Sequence, residues 1–143
     1  MFFGLFADAA TGERHHRIFG HMRVACHGAP ETVRGSPDWR EPPRAHPHLA
    51  GSWNHTNTIY HGPGTVARNA SPALRLTRAG GPLNRWTIPS WLRRTGLTYH
   101  DRPERWIDGE LDSARRGQEF VAQVGDDAEA RAWLAGIMAE MER

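Results

Sequence analysis

The sequence predicts an α+β fold: a small mixed or antiparallel sheet, open or closed into a barrel-like form, with one amphipathic helix packed on it at the C-terminal end. Three observations lead there. The 15 Gly and 10 Pro among 143 residues demand many turns and irregular connections. The apolar runs between them are three to five residues long, the length of strands rather than helices. Only the last eighteen or so residues sustain a 3.6-residue apolar period.

In chain order, Phe2-Phe3-Gly4-Leu5-Phe6 reads as a buried strand and Asp8 to Gly12 as a turn. A second strand is expected from His16 to about Cys26, with Ile18, Met22 and Val24 apolar, so the two form a hairpin. Opening inside a strand predicts either a late start or a missing upstream half. Residues 28 to 55 are rich in Pro, Gly and His and lack periodicity, which marks a functional or mobile segment. Strand character returns at Thr56-Asn57-Thr58-Ile59-Tyr60, in Ala73-Leu74-Arg75-Leu76-Thr77, which alternates apolar and polar, and in Trp86-Thr87-Ile88. Pro89-Ser90-Trp91-Leu92 suits a helical turn with Pro at its first position. Gly117 to Val121 suits a last strand or a helix start. Asp126 followed by Glu129 is a capping-box pattern, and Ala130, Trp133, Leu134, Ile137, Met138 and Met141 share the face of the helix that follows. With no linker or repeat, residues 1–143 read as one domain.

Composition narrows the function classes. The hydrophobic fraction of 38% is that of a folded protein. No stretch approaches the ~20 apolar residues of a membrane span. MFFGLFAD lacks the charged lead and length of a secretory signal. Cys26 is the only cysteine and is expected to be packing in a reducing, cytoplasmic setting. All 18 basic residues are Arg, and each is a planar fork suited to phosphate or carboxylate. A net charge of only +2 argues against strong nonspecific nucleic-acid binding. No phosphate loop, dinucleotide fingerprint or nucleophile elbow is present.

Several segments, in order and spread over nearly the whole chain, resemble the nucleotide modification associated domain, type 3. They are Phe2 to Phe6, Ile18-Phe19-Gly20, His46-Pro47-His48, Asn57 to Tyr60, Leu74 to Thr77, Trp86 through Pro89 to Trp91, Leu97-Thr98-Tyr99-His100, Gly117 to Val121, and Trp133-Leu134. Members of that family look longer at the N-terminus, so the chain resembles the C-terminal part of a longer domain. The resemblance implies a place in DNA base modification, in phages and related bacterial systems. The opening strand followed by Ile18-Phe19-Gly20 and Val24 also resembles the PUA-like barrels, including the EVE type, which implies binding of a modified base or nucleotide.

The residues supply candidates for such chemistry. Pro47 drives His46 into extended geometry, where His46 and His48 point the same way. The pair could share a divalent metal with His55 or His61, or one could act as a general acid/base. Loop histidines beside Pro are also commonly structural. Gln118-Glu119 precedes the apolar Phe120-Val121, as a polar pair would at a pocket edge. Gln118 would then read a base and Glu119 would move a proton, or both would satisfy local structure. Arg75 faces away from Leu74 and Leu76 and could grip a phosphate or sit in water. Trp86 and Trp91 suit the core, whereas Tyr99-His100 near a turn, together with Tyr60, suits a nucleotide pocket. These residues define a nucleotide- or base-handling component of a modification pathway as the leading expectation. A non-catalytic module that binds a modified base is the first alternative. An inactive fragment or accessory subunit, paired with a partner or a second copy through its N-terminal strand, is the next.

Overall fold

Asp8 builds the first turn with its own side chain. In the computed structural model, which describes residues 1–40, 54–55, 58–114 and 120–143, Asp8 Oδ1 accepts from the backbone N–H groups of Ala10 and Thr11 at 3.0 and 2.8 Å. Such an Asx turn reverses the chain without help from elsewhere. The donors, Thr11 first, hold the Asp8 carboxyl below its usual range. The turn joins β1 (Phe2–Ala7) to β2 (Arg14–Met22), antiparallel, with Phe3 opposite Ile18 and Leu5 opposite His16. The expected second strand thus ends at Met22, and Cys26 opens a separate strand.

The chain divides into two compact units: residues 1–20 with 66–143, and residues 21–65. In the first unit the core gathers Ile18, Leu74, Ile137 and Met141, with Phe3, Ala67, Leu76 and Trp133 against them. Each fully buried aliphatic side chain among these contributes about 1.5–3 kcal/mol. Leu74 reaches this core from a 3₁₀ turn, Pro72–Leu74, where a strand is expected from the alternation. Ser71 and Pro72 are the cause. The serine hydroxyl accepts from the Ala73 N–H at 3.2 Å and the proline sets the turn, leaving bridges at Arg75 and Thr77.

A second sheet in this unit runs in the order β6 (Arg85–Thr87), β8 (Glu110–Asp112), β7 (Trp106–Ile107). Asp108-Gly109 closes the β7–β8 hairpin, and Gly109 takes φ 67°, a conformation that favours glycine. Helix α2 (Ser90–Thr95) follows Pro89, which stands at the cap rather than inside the first turn. The final helix, α3 (Ala128–Glu142), is capped one residue later than expected: Asp127, not Asp126, accepts from the Ala130 N–H at 3.0 Å. Its buried residues are Ala130, Ile137 and Met141, while Leu134 remains exposed. Arg94 of α2 pairs with Asp127 at 3.1 Å and Glu129 at 2.9 Å, and Trp91 meets Trp133 edge-on.

The second unit holds β3 (Cys26–Gly28), helix α1 (Pro30–Arg34) and β4 (Ile59–His61) around Val33 and Ile59. Cys26 is half-buried. Strand β5 (Gly64–Val66) pairs with β2. Gly62 is dictated by a close approach, since a Cβ there would lie 1.9 Å from the Arg23 carbonyl oxygen.

The described residues form three small antiparallel sheets and no closed barrel, so the open α+β form is the one taken. Most strands have only two or three residues, too few to carry the continuous register a barrel needs. No helix among the described residues is long and apolar enough to cross a membrane.

Candidate functional site

Four ring contacts radiate from Phe120, and they draw distant parts of the first unit together. Phe120 stacks on Phe3 of β1 at 5.8 Å and meets Trp86 of β6 at 6.0 Å. It also packs edge-on to His100 at 4.8 Å and lies 6.5 Å from Tyr99. Thr98 fastens the 97–100 turn to this point: its N–H donates to the Val121 carbonyl at 3.0 Å, and its hydroxyl accepts from the Val121 N–H at 2.9 Å. The same cluster extends to His16, which is 6.0 Å from Phe3 and 5.5 Å from Trp86.

His16 is held at three points. Its N–H donates to Thr77 Oγ1 at 2.8 Å, and its carbonyl accepts from the Leu76 N–H at 2.9 Å. Trp86 Nε1–H then donates to His16 Nδ1 at 3.0 Å. An indole nitrogen can only donate, so Nδ1 must be unprotonated and the proton of the neutral ring sits on Nε2. Burial, with the neighbouring His15 adding to it, pushes the His16 pKa down and favours this neutral form. Nε2–H has no hydrogen-bond partner among the described residues. The half-buried ring therefore presents a donor of fixed tautomer beside aromatic faces.

His100 shares the cluster on different terms. It is 1% exposed, its Nδ1–H donates to the Thr98 carbonyl at 2.8 Å, and its Nε2 accepts from the Ala114 N–H at 3.1 Å. Burial pushes its pKa down. Its carbonyl also accepts from Trp106 Nε1 at 2.6 Å. Both nitrogens are committed to holding chain segments in place. Tyr99 beside it is 64% exposed and adopts φ 66°, the one residue other than glycine with a positive φ among those described. Such strain in a tyrosine is compatible with a functional position.

The remaining sequence candidates are placed as follows. Arg75 stands opposite Arg17, on the sheet face away from His16, and is forked onto Glu13 at 2.5 and 3.2 Å. That pairing holds the Glu13 carboxyl low and occupies the guanidinium edge expected to meet phosphate. Tyr60, in the second unit, is exposed and stacks with His27 at 5.7 Å. His55 is exposed in the same unit, and His61 accepts from the Arg40 N–H at 3.2 Å. His46, His48, Gln118 and Glu119 lie outside the described residues. No group of three metal-ligating side chains occurs among the described residues. The structure thus unites Tyr99 and His100 with Phe120, the residue that follows Gln118-Glu119, and adds His16. The local sequence shows only a His15-His16 pair; what singles out His16 is its bond from Trp86, 70 residues away.

Fold and site together define a small α+β domain with a ring-lined surface centred on Phe120. The family model of nucleotide modification associated domain 3 matches residues 1–123, and the chain belongs to that family. No curated protein and no solved structure matches the chain significantly. The whole ring cluster falls within the matched residues, whereas α3 lies beyond them.

Proposed function

We propose that the chain is a cytoplasmic nucleotide- or base-handling component of a DNA base modification pathway. Its base would lie on the rings around Phe120 and Tyr99. The observation that carries this reading is His16, whose Nε2–H has no partner among the described residues while Trp86 fixes its tautomer. A nucleobase offers what such a site needs, a flat face to stack and an edge nitrogen or carbonyl to accept the hydrogen bond. Stacking on such rings is worth ~1–3 kcal/mol per base. The family's association with nucleotide modification supports the same ligand class.

A binding module without catalysis is the second reading, and one observation favours it. The Trp86 N–H occupies the only basic nitrogen of neutral His16, so in this tautomer the ring donates but does not abstract a proton. In the catalytic reading Glu119, which directly precedes Phe120 in the sequence, supplies the proton transfer, and His46 and His48 are the further candidates.

A panel of nucleoside monophosphates and modified bases, scored by thermal shift and calorimetry, tests both. At least one should stabilise the wild-type chain, and His16→Phe should weaken that ligand about tenfold, the value of one lost hydrogen bond. A flat panel defeats the proposal. Product analysis with wild type and Glu119→Gln separates the readings: conversion abolished by the substitution marks an enzyme, and binding without conversion marks a module.

A further inference from the structure

The outer edge of β1 carries exposed apolar side chains beside backbone groups that no described residue pairs. In the sheet order β1-β2-β5, β1 has a neighbour on one side only among the described residues. His16 turns its N–H to Thr77 and its carbonyl to Leu76, away from β1. Leu5, directly opposite His16, is therefore a residue whose own N–H and C=O point away from β2. By alternation Phe3 and Ala7 do the same. None of these groups has a partner among the described residues. Phe2, Leu5 and Phe6 are meanwhile 44, 47 and 40% exposed.

Proteins commonly blunt such an edge with charge, proline or a covering segment. Phe2–Ala7 contains no charged residue and no proline. Its pattern is also self-complementary. Two copies laid antiparallel with Leu5 on the two-fold axis set Leu5 against Leu5, and Phe3 against Ala7 in both directions. These are the residues with outward-facing groups, so the register closes about six hydrogen bonds between chains.

We infer that β1 is a homodimerisation strand, and that a second copy of this chain continues the β1–β2 sheet across a two-fold axis. This goes beyond the nucleotide reading and stands without it. The test is light scattering on the full chain from low to high micromolar concentration, with circular dichroism to show that each variant is folded. The wild type should pass from monomer to dimer. Leu5→Lys, which brings two ammonium groups together on the axis, should raise the dissociation constant at least tenfold. Leu5→Pro removes only an outward N–H and should act in the same direction. A wild type that stays monomeric overturns the inference, as does a dimer that both folded variants leave intact. A chain that is monomeric alone and changes size only when single-stranded DNA is added overturns it too.

Discussion

His16 and His100 touch the same ring cluster and are both held neutral by burial, yet they differ in what they leave open. His100 bridges Thr98 to Ala114 and has no nitrogen to spare. His16 receives one bond from Trp86 on Nδ1, and its Nε2–H has no partner among the described residues. A lowered pKa therefore does not separate a binding histidine from a structural one. The count of committed nitrogens does.

The largest expected effect follows from removing His100. His100→Ala leaves the Ala114 N–H and the Thr98 carbonyl without partners and opens a void beside Phe120. The cost should be roughly 2–4 kcal/mol in urea unfolding. If His100→Ala unfolds at the wild-type midpoint, the contrast with His16 collapses. By the same logic His16→Phe strands only the buried Trp86 N–H, so it should weaken the ligand and cost about 1–3 kcal/mol of stability, less than His100→Ala.

Parts of this arrangement were legible from the residues alone. The turn at Asp8 to Gly12 and the final helix are local, fixed by an Asx turn and by a cap with an apolar face, so they could be read directly. The β7–β8 hairpin carried its signal in Asp108-Gly109 but went unpredicted, because strands of two and three residues have no period to detect. Tyr99-His100 could be nominated from its place near a turn, but that Phe120 packs against both residues could not. His16 could not. Its tautomer is set by an indole 70 residues away, a fact of tertiary packing that leaves no trace in local pattern. Arg75 illustrates the reverse: alternation placed it on the right face, but its partner Glu13, 62 residues distant, was invisible.

Acid provides the next test, with a smaller effect than His100→Ala. Both histidines have folded pKa values below the unfolded value near 6.5, so the unfolded chain binds more protons as pH falls. Stability should be full above that value and decline as pH drops through it towards the lowered folded values. Thermal midpoints across this range should fall towards acid, before the carboxylates of Asp8, Glu13 and Asp127, all held low, begin to protonate. A midpoint that is level or rises on going from pH 7.5 to pH 5, values that bracket the unperturbed histidine range, contradicts the neutral, buried state assigned to both rings.

Tyr99 gives the smallest change in stability and the sharpest separation of stability from binding. A tyrosine at φ 66° pays a conformational cost that glycine does not. Because the ring is mostly exposed, its packing against Phe120 offsets little of that cost. Tyr99→Gly should therefore leave the unfolding free energy unchanged or raise it by up to about 1 kcal/mol. The same substitution removes a stacking face and should weaken a bound base by ~1–3 kcal/mol. A strained residue kept only for the fold would lose stability when replaced and leave affinity alone. A ligand-facing Tyr99 requires affinity to be lost without any loss of stability.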